Sequence, residues 1–470
     1  MEEHGKRMWQ TAGLVTGVIG LLGVAASMAP EGPIEILGKE IHMPHIADYL
    51  KEEEDSVVDI EGQLRSVEAE MVMTAADSAA AAKADTMAFY ERYFASSKGS
   101  ITYPDSTYEY FFGLYKTLES AGRRTVHILH YGDSQIEGDR ITGLIREKMQ
   151  GEFGGTGPGL IPMWQPIASR AVSQSLSDSV ATYYAGGMMG RRASHNRYGA
   201  MAQMAEMRGE DVTLRVRAGN AGGFRHIAAY VGHIGEDGLT MTLGADDTRT
   251  AESGDAAVSE LTWELDKTTR EIEIHVKGSG EIYGIELDGG SGVSMTNIPM
   301  RGSDGTYFTG MDRQLNRKMM QKLDVKMIIM EFGGNAMPYI RNDDKRDSWL
   351  TTFGQQIEAV RQTCPEAKIL VIGPADMSER DETGNLRTLE MLPGTVEGMR
   401  TLCREKGVAF WDMYRVMGGR NSMVSWVSHE PAWAAPDYVH FTQRGANKIA
   451  EVLWEAMRMN YEYYRLKTSE

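Results

Sequence analysis

From about residue 101 onward, short and nearly continuous apolar runs alternate with segments in which apolar residues recur every three or four positions. Runs of the first kind suit strands buried on both faces, and segments of the second kind suit helices packed on one side. Thr125 to Tyr131 reads as a buried strand carrying Val126, Ile128 and Leu129. Glu137 to Gln150 reads as a helix with Ile141, Leu144, Ile145 and Met149 along one face. Helices are further expected over Tyr108 to Glu119, Met311 to Leu323, Trp349 to Gln362 and Val396 to Glu405, and strands over Val325 to Phe332, Lys368 to Ile372 and Val408 to Trp411. Thr442 is placed to cap a last helix with Ala446, Ile449, Leu453 and Met457 on one side. Ile282 to Leu287 and the stretch to Met300 are expected to bring the chain back to the same sheet. Alternation of this kind predicts an α/β domain with a parallel sheet between two helix layers.

Two regions break the pattern. Between residues 166 and 281 the apolar positions fall on short strands without helices between them: Asp211 to Ala218, His226 to Ile234, Leu239 to Leu243, Val258 to Leu265 and Arg270 to Val276, separated by Gly and Asp turns. This predicts a β-sandwich inserted into the α/β domain, which then occupies 101–165 and 282–465. At the other end, Trp9 to Ala29 is an uncharged, mostly apolar run of about bilayer-spanning length, preceded by Lys6 and Arg7 and followed by an acidic segment. The charge asymmetry predicts an N-terminal transmembrane anchor over 1–30, inserted in the inner membrane with the remainder periplasmic or otherwise extracytoplasmic. A cleavable signal peptide is the rival reading, with Ala25-Ala26-Ser27 as the small residues near its end. Residues 31–100 are acidic and then alanine-rich, with helical patterning around Ile60 to Phe94, as expected of a stalk or packing helix, with a partially disordered linker as the rival reading.

Composition narrows the function classes. A net charge of −17 argues against a nucleic-acid partner, since such binding neutralises phosphates. The two cysteines, Cys364 and Cys403, are too few for a disulfide framework. His127 and His130 project to opposite faces of their strand and so are poor joint metal ligands. No cofactor and no metal are called for.

Candidate chemistry gathers in four short segments: His130 to Gln135, Arg301-Gly302-Ser303, Gly333 to Ala336 and Asp437 to His440. Ser134 falls in a strand-to-helix turn, at the strand end where open α/β sheets place ligands. A serine hydroxyl needs a base to take its proton and a carboxylate to orient that base. Of the eleven histidines, only His440 has an aspartate three places before it, Asp437. Asn335 follows the strand VKMIIMEF to the same sheet edge, where its amide could stabilise an oxyanion together with the backbone N–H groups of Ser134 and a close glycine.

On these residues the chain resembles the SGNH/GDSL hydrolase family. Gly132-Asp133-Ser134 matches its first block, Gly333-Gly334-Asn335 its third and Asp437 to His440 its fifth, while Gly302 fits the lone glycine of the second block, with Gly305 the competitor. Gln135 stands where the family most often has Leu, and Ala336 where Asp usually follows the Asn. The resemblance implies a flavodoxin-like three-layer domain, with Ser134, Asp437 and His440 catalytic and Ser134, Gly302 and Asn335 forming the oxyanion hole. Insertions of carbohydrate-binding-module type in similar esterases, which remove O-acetyl groups from peptidoglycan, suggest an acylated polysaccharide substrate. Four alternatives stand beside this reading. They are an O-acetyltransferase served by a membrane acyl-transfer protein, a lipase, a thioesterase, and a non-catalytic glycan-binding protein with a relict site. Trp433, in the loop before Asp437, is a candidate for stacking on a sugar.

Overall fold

The structure is a computed structural model and describes residues 34–36, 39–41, 58–71, 83–254 and 257–469. The first two form an antiparallel strand pair of their own, β1 (Ile34–Ile36) and β2 (Lys39–Ile41). The apolar run Trp9 to Ala29, and with it the expected anchor, lies outside the described residues. Among the described residues no helix is long and apolar enough to cross a membrane.

The helices α1 (Ile60–Met71) and α2 (Lys83–Ser96) open the main unit. Ile60, Leu64 and Val67 recur at i, i+4 and i+7 on α1 and are all buried, as are Tyr93 and Phe94 on α2. They share one apolar core with the α/β domain, so of the two readings, stalk or packing helix, these two helices follow the second. Next come α3 (Phe112–Leu118), β3 (Thr125–Gly132) and α4 (Thr142–Phe153). The helix expected from Glu137 starts only at Thr142, because Glu137–Asp139 forms a tighter turn in which Gly138 takes a φ of 67°.

The insertion consists of β4 (Gly159–Ile161), β5 (Val172–Leu176), β6 (Ala181–Tyr184), β7 (Gln203–Ala218), β8 (Phe224–Gly232), β9 (Leu239–Leu243), β10 (Asp247–Ala251), β11 (Ser259–Thr269) and β12 (Glu271–Asp288). The last is its spine. The first half of β12 lies between β7 and β9, and its second half lies against β8 and β4. A register shift between Lys277 and Ser279 separates the two halves, a bulge of the kind that bends a strand. Ile274 and Val276 from one half then share a core with Ile282, Ile285 and Leu287 from the other. The expected boundaries at 166 and 281 are too narrow, since Gly159–Ile161 pairs with Ile285 to Leu287 and β12 runs on to Asp288. Ile282 to Leu287 therefore does not return to the α/β sheet. An apolar run suits either sheet, and only its partners decide which.

The chain re-enters the α/β domain with β13 (Gly292–Pro299), followed by α5 (Arg313–Lys322), β14 (Val325–Glu331), α6 (Asp343–Thr363) and β15 (Lys368–Ile372). A hairpin, β16 (Ser378–Arg380) with β17 (Leu386–Thr388), precedes α7 (Leu392–Glu405), β18 (Ala409–Trp411), α8 (Met413–Met417), α9 (Ser422–Ser428) and α10 (Gln443–Thr468). The five long-range strands pair in the order β13-β3-β14-β15-β18, all parallel. By position in the chain that order is second, first, third, fourth, fifth, the flavodoxin-like arrangement, and it reverses between β3 and β14. Val126, Ile128, Met327 and Ile329 face α4 and α10. Leu129, Tyr131, Ile328 and Met330 face α5 to α7, together with Leu160, Ala228 and Tyr283 from the insertion.

Candidate active site

Ser134 lies two residues beyond the end of β3, at the point where the strand order reverses. Its Oγ is 2.8 Å from His440 Nε2, and His440 Nδ1 is 2.8 Å from Asp437 Oδ2. One carboxylate shapes the loop and orients the ring: Asp437 Oδ1 accepts the N–H groups of Val439 and His440, each at 3.0 Å. Partial burial pushes the Asp437 carboxyl up, but these bonds and the His440 ring outweigh it and hold the carboxyl below its ordinary range. Tyr438 takes a left-handed φ of 57° inside this turn. Just beyond, Thr442 caps α10 by accepting the Gly445 N–H, as its position in the chain suggested.

Gln135 holds the histidine loop from the nucleophile side. Its Nε2 donates to Val439 O at 2.6 Å, and its Oε1 accepts the Phe441 N–H at 3.3 Å, so it grips the residues on either side of His440. The sequence signal was present, a polar residue where the resembled family most often has Leu, but its duty depends on a partner 304 residues away. The guanidinium of Arg140 ties the same pieces together, donating to the carbonyls of Ser134, Glu137 and Phe441. Arg301 makes two bonds to Glu137, at 2.6 and 2.7 Å, and so fastens the glycine turn to the turn that carries Ser134.

Asn335 lines the same small pocket as Ser134 and His440. Its Nδ2 donates to Asp133 Oδ2 at 3.0 Å and to Ser303 O at 3.2 Å, which fixes the plane of its amide. Asp133 also accepts the Gln135 N–H. Burial, with Glu331 nearby, pushes the Asp133 carboxyl up to about 7. Gly302 sits at the left-handed position, φ 72°, of a turn closed by the Ser303 N–H on Met300 O. A side chain there would meet Met188 at 2.7 Å. The turn reaches Asn335 through Ser303, whose carbonyl takes the Asn335 amide, though neither Gly302 nor Ser303 lines the pocket itself, and the competing Gly305 has its N–H engaged by Ser303 Oγ. The pocket measures about 70 Å³ and is walled by Phe332, Pro374, Met377 and Met413.

Other expectations resolve as follows. His127 and His130 do face opposite ways, and His130 is buried between Glu331 (3.1 Å) and Thr142 (2.9 Å). Cys364 and Cys403 are both buried and unpaired. Trp433 is not available to a sugar: it is 8% exposed, stacks on His429 at 3.8 Å and packs edge-on against Trp426. Among the described residues the exposed large apolar side chains are Met188 and Tyr339, and neither lies on a strand of the insertion.

A serine, imidazole and carboxylate in relay at the switch point of a flavodoxin-like sheet, opposite an amide donor, form the arrangement with which a serine hydrolase cleaves esters. Residues 286–448 match the model of the GDSL-like Lipase/Acylhydrolase family, and the chain is an ester-hydrolysing enzyme. The matched span starts on β12, the last strand of the insertion, so Ser134 lies outside it. Among solved structures, that of a peptidoglycan O-acetylesterase superimposes with a TM-score of 0.63 at 19% identity, covering 78% of this chain and 99% of that one. A family two carbohydrate esterase from Cellvibrio japonicus matches at 10% identity with a TM-score of 0.25, covering 62% of this chain and 99% of its own. No curated protein sequence matches the chain.

Proposed function

We propose that the protein is an extracytoplasmic serine esterase that removes O-acetyl groups from a polysaccharide such as peptidoglycan. The observation that carries the reading is the Ser134–His440–Asp437 relay, 2.8 Å at each step, opening on a pocket of about 70 Å³. That volume is less than half of an engineered cavity of about 150 Å³ that takes up benzene. It suits an acetyl group and disfavours the long acyl chain of a lipase substrate. The polysaccharide rests on the shared fold with the O-acetylesterase, and the location rests on the apolar run Trp9 to Ala29 with Lys6 and Arg7 before it.

In this mechanism His440 Nε2 takes the Ser134 proton as Oγ attacks the ester carbonyl. The oxyanion is held by the N–H groups of Ser134 and Gly302 and by Asn335, whose longer bond to Ser303 O is the one to be shared or displaced. His440 returns the proton to the departing sugar oxygen. It then deprotonates a water that releases acetate and restores the serine. Asp437 stabilises the imidazolium throughout.

The test is acetate release from O-acetylated peptidoglycan, run beside acetylated xylan, p-nitrophenyl acetate and p-nitrophenyl palmitate, with Ser134→Ala as control. Release from peptidoglycan and the short ester, lowered on the order of a million-fold in the variant, is expected. Turnover of the palmitate ester alone would overturn the acetyl reading, and absence of serine-dependent hydrolysis would overturn the esterase.

A further inference from the structure

A second group of chemistry-bearing side chains lies toward the opposite end of β3. His127 projects away from His130 toward β12, where it meets Glu286 and Asp288, and their ligand atoms all lie within 4.8 Å of one another. All three residues are buried, at 6%, 1% and 1% exposure. Neither ring nitrogen of His127 has a hydrogen-bond partner, nor does Glu286 Oε2 or Asp288 Oδ2. The nearest approach of His127 to a carboxylate, Nε2 to Glu286 Oε1 at 3.4 Å, lacks hydrogen-bond geometry. The other carboxylate oxygens are held from behind, Glu286 Oε1 by the Ser294 hydroxyl and Asp288 Oδ1 by the Gly290 N–H, each at 2.5 Å.

Unpaired buried polar atoms are costly, and those of carboxylates more so. A proton on His127 offsets one carboxylate charge, while Asp288 is held only at Oδ1, by the Gly290 N–H and the Thr125 hydroxyl, and its Oδ2 stays unpaired. A divalent cation would satisfy the imidazole and both carboxylates at once. One imidazole nitrogen with two carboxylate oxygens is a donor set suited to zinc; calcium and magnesium favour oxygen alone.

We propose that His127, Glu286 and Asp288 form a structural site for a divalent transition-metal ion, zinc by preference, pinning the end of the insertion to β3. Five residues of strand, about 16 Å, separate His127 from Gly132 at the catalytic edge. The ion therefore acts on stability and takes no part in ester hydrolysis.

The experiment uses the full chain, purified without a metal-affinity tag, stripped with chelator, incubated with Zn²⁺ and dialysed. Bound metal is then measured by mass spectrometry for wild type, His127→Gln and Asp288→Asn. About one zinc per wild-type chain is expected, with less than about a tenth of that in either variant. Zinc should raise the wild-type Tm by several degrees and leave the variants unmoved. Ser134-dependent turnover of p-nitrophenyl acetate should agree within about twofold between stripped and loaded wild type. If neither variant folds, the X-ray absorption spectrum of cobalt-loaded wild type decides, and must show one imidazole with oxygen ligands. Wild type that binds no stoichiometric metal, folded variants that keep their zinc, or a cobalt shell without imidazole would each overturn the site, whatever the esterase assay shows.

Discussion

Gln135 and Asp133 flank the nucleophile, and each supports a different part of the site. Gln135 makes two hydrogen bonds to the backbone around His440, so removing its amide loosens the base and leaves the triad complete. Gln135→Leu, which restores the residue common in the resembled family, should lower kcat about 10- to 100-fold, the cost of roughly 1–3 kcal/mol in positioning. Unchanged kcat in steady-state assays with p-nitrophenyl acetate would count against the clamp. Asp133 carries a pH signature. Its folded pKa is about 7, against an ordinary value of 3.8, so the folded protein keeps a proton that the unfolded chain has lost. Its contribution to stability therefore falls as pH rises from about 4 to about 7. Asp133→Asn removes that dependence but sets one amide donor against another at Asn335. The variant should gain Tm over wild type at pH 8, lose the gain toward pH 5, and turn over more slowly at both. A Tm difference that does not change with pH would refute the assignment.

Among the elements, the segment from α9 to α10 decides whether the triad forms. Asp437 and His440 are brought to Ser134 by a loop pressed against Trp426 and Trp433, and the Trp433 carbonyl accepts the Thr442 N–H. Gly445 in the first turn of α10 leaves no room for a side chain, since a Cβ would lie 1.9 Å from that same carbonyl. Trp433→Ala should cost about 3–5 kcal/mol in urea unfolding. It should also lower kcat, because the loop that loses its packing is the one that holds His440. Stability lost with kcat intact would show the loop to be held by its hydrogen bonds alone. The helix α1 behaves in the same way at a distance from the chemistry. Its apolar stripe was legible as a helix with a face to pack, whereas the surface that Ile60, Leu64 and Val67 pack on, the α/β core, was not.

At the level of the whole molecule, the insertion and the α/β domain cannot be taken apart. Leu160, Ala228 and Tyr283 pack with Leu129, Ile328 and Met330 beneath the sheet. Replacing residues 159–288 with a short linker should expose that face and yield aggregated protein in size-exclusion chromatography, while a fragment of residues 58–470 should fold and keep esterase activity. A soluble, active deletion would show the shared core to be dispensable. Short-range information sufficed for the β3–turn–α4 unit, for Thr442 as a cap and for Asp437 beside His440, because apolar periodicity and close spacing specify burial and turns locally. The presence of an inserted run of strands was legible for the same reason. The order of the sheet, the partners of β12, the burial of Trp433, the grip of Gln135 and the meeting of His127 with Glu286 and Asp288 were not. Each depends on which surfaces meet across long stretches of chain, and an apolar or polar residue reads the same in the sequence whichever neighbour it finds.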